Sequence, residues 1–106
     1  RSGHIAGPAE TAAEVEDLFK VLANDTRLRL LHALVRVGEL CVMDLAEAVG
    51  MKAQAVSNQL QRLADRGIVA SKRNGNNVHY HIVDPCVTVL LDHGLCLVDD
   101  AKERKA

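Results

Sequence analysis

"MKAQAVSNQLQRLADRGIVASKRNGNNVHYHIV", residues 51–83, decides the fold. Its two halves carry different periods. In the first half Ala55, Val56, Leu60 and Leu63 recur at helical spacing, while Ser57, Asn58, Gln59, Gln61 and Arg62 fall mostly on the other side. Gly67 closes that helix. Beyond it "IVASKR" and "NVHYHIV" flank "NGN". Asn-Gly favours positive φ, so residues 68–83 are expected to form a β-hairpin with a polar, basic tip. A helix faced with short amides, a hydroxyl and a guanidinium, followed directly by a basic hairpin, is an arrangement suited to a DNA groove.

Upstream, "TAAEVEDLFKVLA" (11–23) places Val15, Leu18, Phe19 and Leu22 at helical spacing, with acids in its first turns. Asn24 or Asp25 caps a second helix, "TRLRLLHALVR", which Gly38 stops. "CVMDLAEAVG" (41–50) is expected as a short third helix ending at Gly50, with Cys41 at its start. Downstream, Asp84-Pro85 opens a last helix, with Pro at the first helical position. That helix is apolar nearly all round apart from Asp92 and His93, so it needs a partner, and a second copy of itself would serve. The domain organisation expected is a flexible arm over 1–10, one DNA-binding and dimerisation domain over 11–102, and a charged tail over 103–106.

Composition narrows the function classes. A chain of 106 residues suits one domain, and its core must be aliphatic: Phe19 and Tyr80 are the only aromatic residues. A chain this short buries a modest fraction of its surface, which favours a dimer with a second core. Net charge is only −1, yet residues 52–73 hold five basic groups (Lys52, Arg62, Arg66, Lys72, Arg73) against one acid, Asp65. That stretch is either an anion-facing surface or a solvated helix face. Three cysteines are an odd number for a disulfide scaffold and favour reduced thiols in the cytoplasm. No apolar run approaches the roughly 20 residues that span a bilayer, and "RSGHIAGPAE" lacks the apolar segment of a leader. No nucleophile, base and orienting group stand together and no glycine loop cradles phosphate, so neither an enzyme nor an organic substrate is expected.

Helix, helix, short helix, turn, polar-faced helix, basic hairpin, helix is the layout of a winged helix-turn-helix: mainly α with a β-hairpin wing, dimerising through its terminal helices. The third helix braces the fourth, which presents Gln54, Ser57, Asn58, Gln59 and Arg62 to base edges of double-stranded operator DNA. Lys72, Arg73 and the wing asparagines, Asn76 among them, hold phosphates or reach a minor groove.

"VLANDTRLRLLHAL", "GELCVMDLAEAVGM", "AVSNQLQRLADRGIV" and "RNGNNVHYHIVD" resemble, in order, successive hallmarks of the ArsR/SmtB metal-responsive repressors. The resemblance spans roughly residues 14–100. It implies a homodimeric repressor whose free form binds an operator and is released by an inducer ion or by thiol oxidation. Cys41 resembles the first sulfur of that family's E-L-C-V-C-D-L metal box, while Met43 stands where the second would be. Asp84-x-Cys86 resembles the family's Asp-x-His at the start of the last helix. The remaining ligands of that zinc-type site would fall at Leu97 and Asp100, so the site is not preserved.

Thiolates are soft ligands that suit Hg(II), Cd(II), Pb(II), Zn(II), Cu(I) or As(III). Cys41, Cys86 and Cys96 are the thiolates on offer, with His93, three residues before Cys96, as an auxiliary ligand. Cys86 and Cys96 stand ten residues apart, about 15 Å along one helix, so one helix cannot close a chelate with both. A site needs sulfurs from different elements or subunits. The "DPCV…GLCL" ending most resembles the mercury-resistance repressors of ArsR type, which makes Hg(II) the expected inducer. Cd(II), Pb(II), Zn(II) and As(III) use similar sulfur sets. Each cysteine also reads as a small packing residue. A disulfide or persulfide switch is the main rival, and a dimer module whose winged helix contacts protein is another. His79 and His81 alternate on a wing strand, where DNA or solvent is the expected neighbour.

Overall fold

The computed structural model describes residues 7–105. The chain forms α1 (Ala9–Leu22), α2 (Asp25–Val37), β1 (Glu39–Cys41), α3 (Val42–Val49), α4 (Ala53–Asp65), β2 (Val69–Asn74), β3 (Asn77–Ile82) and α5 (Pro85–Lys105). It is a winged helix-turn-helix, helical with a small antiparallel sheet. Residues 1–6 of the expected arm lie outside the described residues. α1 already begins at Ala9, and α5 runs through the expected tail to Lys105.

Local chemistry sets most boundaries. Asn24 is the cap of α2: extended, at φ −149°, its side chain accepts the Arg27 N–H at 3.0 Å. Gly50 ends α3 in the left-handed conformation at φ 68°, where its N–H and that of Met51 satisfy the last carbonyls of the helix. The wing turn is Gly75-Asn76, between the paired Asn74 and Asn77. Among the described residues only glycines have positive φ, so Gly75 takes it and Asn76 does not. That pattern belongs to a two-residue turn with glycine in its first position.

One strand was not expected. Residues 39–41 are extended, and they pair antiparallel with β3 in the order β1-β3-β2. The register sets Glu39 opposite His81, Leu40 opposite Tyr80 and Cys41 opposite His79. The Leu40–Tyr80 pair lies on the core face, and Tyr80 is buried. This cross-strand packing, made with residues forty positions away, holds a segment whose local pattern is too short to announce a strand.

Leu30, Leu31, Leu45, Val56, Leu60 and Leu63 are completely buried and lock α2, α3 and α4 together. Each such leucine contributes about 1.5–3 kcal/mol relative to an exposed one. The terminal helices are different. Of the 21 residues of α5 only Val87 is buried, while Val89, Leu95, Leu97 and Val98 are more than half exposed. On α1, Val15 and Phe19 are also exposed. Between these helices lies an open apolar groove of about 1120 Å³, lined by Phe19, Leu28, Val37, Leu90, Leu95 and Val98 among others. No helix is long and apolar enough to cross a membrane among the described residues.

Candidate nucleic-acid interface and thiol sites

α4 follows α3 after a tight turn at residues 50–52, and its apolar face (Val56, Leu60, Leu63) is spent on the core. The opposite face is therefore fixed toward solvent. Gln54, Asn58 and Arg62, four residues apart, form one exposed stripe along it. Gln54 Nε2 donates to Asn58 Oδ1 at 3.1 Å, and next to the stripe Gln61 Nε2 donates to Asp65 Oδ1 at 2.8 Å. Two amides already aligned in this way can exchange their mutual bond for a base edge with little reordering. Ser57 is half-buried at the side of the stripe.

Gln59, also expected among the base readers, is placed differently from the stripe. It is half-buried, and its Oε1 accepts a hydrogen bond from Arg27 Nε at 2.8 Å. At 100° per residue, position 59 lies on the border between the polar and apolar faces, and a partner on α2 draws its side chain inward. Periodicity gave no sign of that partner.

The wing places Lys72, Arg73 and Asn76 in solvent. Lys72 is paired with His79 in the register and Arg73 with Val78, so the two cations leave opposite faces of the hairpin. His79 and His81 do not face open solvent, contrary to expectation. β1 pairs along the free edge of β3, and both histidines are half-buried beside their cross-strand neighbours Glu39 and Cys41. His79 Nδ1 stands 3.6 Å from Glu39 Oε2, and neither histidine's Nδ1 has a hydrogen-bond partner among the described residues.

The three sulfurs lie apart. Cys41 is half-buried where β1 meets α3, in the N-cap position of that helix. Met43, 68% exposed, points away from the core. Cys86 and Cys96 are exposed on α5, separated by the axial rise already calculated from their spacing. Each has a carboxylate for a neighbour. Asp84 Oδ1 accepts the Cys86 backbone N–H at 2.8 Å, and Cys96 Sγ lies 3.7 Å from Asp100 Oδ2. Asp84 accepts a hydrogen bond from the Cys86 thiol and repels its thiolate, so the thiol pKa is raised above its ordinary value. His93 is exposed on the same helix. Among the described residues no three His, Cys, Asp or Glu side chains gather into a metal-sized cluster. Thiolate donors suit a thiophilic ion, and the arrangement permits more than one sulfur per ion only by joining separate elements.

Three comparisons bear on this geometry. Residues 24–71, from the α2 cap into β2, match the family model described as "Bacterial regulatory protein, arsR family". The transcriptional regulator NmtR of Mycobacterium tuberculosis is 41% identical over 87 residues, 82% of this chain and 72% of that protein. A probable mercury resistance operon repressor of Streptomyces lividans is 37% identical over 77% of this chain and 65% of its own. Among solved structures, the antimony-specific transcriptional repressor AntR superposes with a TM-score of 0.81 at 68% identity, covering 91% of this chain and 86% of that one.

Proposed function

The chain belongs to the arsR family of bacterial regulatory proteins, as a metal-responsive transcriptional regulator and not an enzyme, and we propose that it is a homodimeric repressor released from its operator by a trivalent metalloid, Sb(III) or As(III). The exposed stripe of Gln54, Asn58 and Arg62 carries the DNA reading. It is a polar helix face held against the core, and the wing cations Lys72 and Arg73 follow it in the chain to fix phosphates. Two copies come together over the groove between α1 and α5, because that is where apolar side chains lack cover.

Cys41, Cys86 and Cys96 are the residues that would hold the ion. When bound, it supplies a covalent-like crosslink between thiolates of different elements. The spacing of Cys86 and Cys96 means that such a link joins helices or subunits, so it favours one dimer geometry over another, which is what regulation of affinity requires. The choice of ion rests on the 68% identical antimony-specific structure, which outweighs the resemblance of the "DPCV…GLCL" ending to mercury repressors. Three thiols also suit a trivalent metalloid, whereas Hg(II) is satisfied by two.

The test is release of labelled operator by Sb(III), As(III), Hg(II), Cd(II), Pb(II) and Zn(II), each against the protein and its Cys41→Ser, Cys86→Ser and Cys96→Ser variants under reducing conditions. Sb(III) or As(III) should release DNA at the lowest concentration, and the ligand substitutions should abolish that response. Release by Hg(II) at lower concentration would restore mercury as the inducer. Responses unaltered in all three variants would sink the thiolate site.

A further inference from the structure

Arg27 is the one buried charged side chain among the described residues, at 9% exposure. A permanent cation is costly to bury unless its donors are satisfied. No carboxylate lies within ion-pair distance of it among the described residues. Its partners are instead two neutral acceptors on two different helices. Nε donates to Gln59 Oε1 on α4 at 2.8 Å, and Nη1 donates to the Val21 carbonyl at 2.9 Å. Val21 is in the last turn of α1, where carbonyls have no intrahelical partner and the helix dipole is negative. The Arg27 backbone N–H is itself held by the Asn24 cap of α2. One planar, forked group therefore ties the end of α1, the start of α2 and the middle of α4 together.

A leucine or methionine would fill the same space without the desolvation cost. What the guanidinium adds is direction: its donors lie in one plane at fixed angles, so they set the rotation of α4 about its own axis as well as its distance. Gln59 is adjacent in sequence to Asn58, a member of the reading stripe. A rotation of α4 by about 20° moves side chains some 5–6 Å from the axis by about 2 Å, enough to break hydrogen bonds to bases. The other end of the strut is α1, whose exposed Phe19 lines the groove.

Resting on the DNA-binding reading above, we infer that Arg27 is a positioning residue for the recognition helix. It acts through Gln59, which holds the helix in register instead of reading bases, and it joins that register to the position of the terminal helix α1.

The experiment begins with a duplex selected by the wild-type protein from a random pool. Operator and random-duplex affinities are then measured for Arg27→Met, Gln59→Leu, the double variant and Gln59→Glu, each checked for helix content and dimer formation. Loss of a charged hydrogen bond predicts about a tenfold fall in operator affinity for either single variant, with random-duplex affinity unchanged. The double variant should fall about tenfold and not a hundredfold, because the two side chains form one device. Gln59→Glu, which keeps an acceptor for Nε, should retain the base preference of the wild type, with operator and random duplex weakened alike by the added negative charge. It also serves if Arg27→Met fails to fold. If Gln59→Glu or Gln59→Leu alters preference at a single base pair, Gln59 is a base reader and the inference is overturned. Operator preference that survives intact in both single variants overturns it too, while leaving the repressor reading standing. Equal affinity of the wild type for selected and random duplexes would remove the repressor reading, and this inference with it.

Discussion

Leu95→Lys tests the uncovered groove as a dimer interface. Leu95 lines the groove on α5 and is 53% exposed in the single chain. Complete burial of a leucine stabilises by about 1.5–3 kcal/mol, so covering the remaining half is worth about 1 kcal/mol. A two-fold dimer contains the residue twice, which doubles the loss to about 2 kcal/mol, or about a 30-fold weaker dimer. Burying two ammonium groups adds to that figure, so it is a lower bound. Sedimentation equilibrium over a concentration series reads the dissociation constant directly. Met43→Lys is the control: Met43 is more exposed still, at 68%, but does not line the groove. The expected result is a large shift for Leu95→Lys and none for Met43→Lys. Equal shifts for both, or a dimer indifferent to Leu95→Lys, would refute the assignment of the groove.

Two further predictions concern charge. Arg73→Ala should weaken binding to operator and random duplex alike. With two wings per dimer, it should also reduce the slope of log affinity against log salt by about 2; an unchanged slope would remove Arg73 from the phosphate contacts. Asp84→Asn removes the carboxylate that raises the Cys86 thiol pKa. The thiol pKa should fall, so alkylation of Cys86 by iodoacetamide, in a Cys41→Ser/Cys96→Ser background, should begin at lower pH. An alkylation profile that stays put or moves to higher pH would show that Asp84 does not control this thiol.

Much of the architecture was legible because it is encoded locally. The leucines of α2 and α4 repeat with the helical period, Asn24 is a capping residue beside a helix former, and Gly50 and Gly75 supply the backbone angles that their turns need. The hairpin emerged as read, over 69–82 within the expected 68–83. What escaped was non-local. β1 is three residues long, and its extended form depends on Tyr80, which meets Leu40 only after the chain has folded back. The same strand turned His79 and His81 from surface groups into half-buried ones. As for the sulfurs, spacing alone showed that Cys86 and Cys96 cannot share a chelate within one helix, and the structure places Cys41 on a different element.

The sequence by itself determined the order of elements, the polar face of the recognition helix, and the likeness to the metal-responsive repressors, because each is written in runs of neighbouring residues. Only the tertiary structure decided which polar side chains of that helix remain free. Gln59 sits at the border of two helix faces, and nothing within α4 determines which way its amide turns. A buried guanidinium on another helix, in need of an acceptor, turns it inward and leaves Gln54, Asn58 and Arg62 as the exposed stripe.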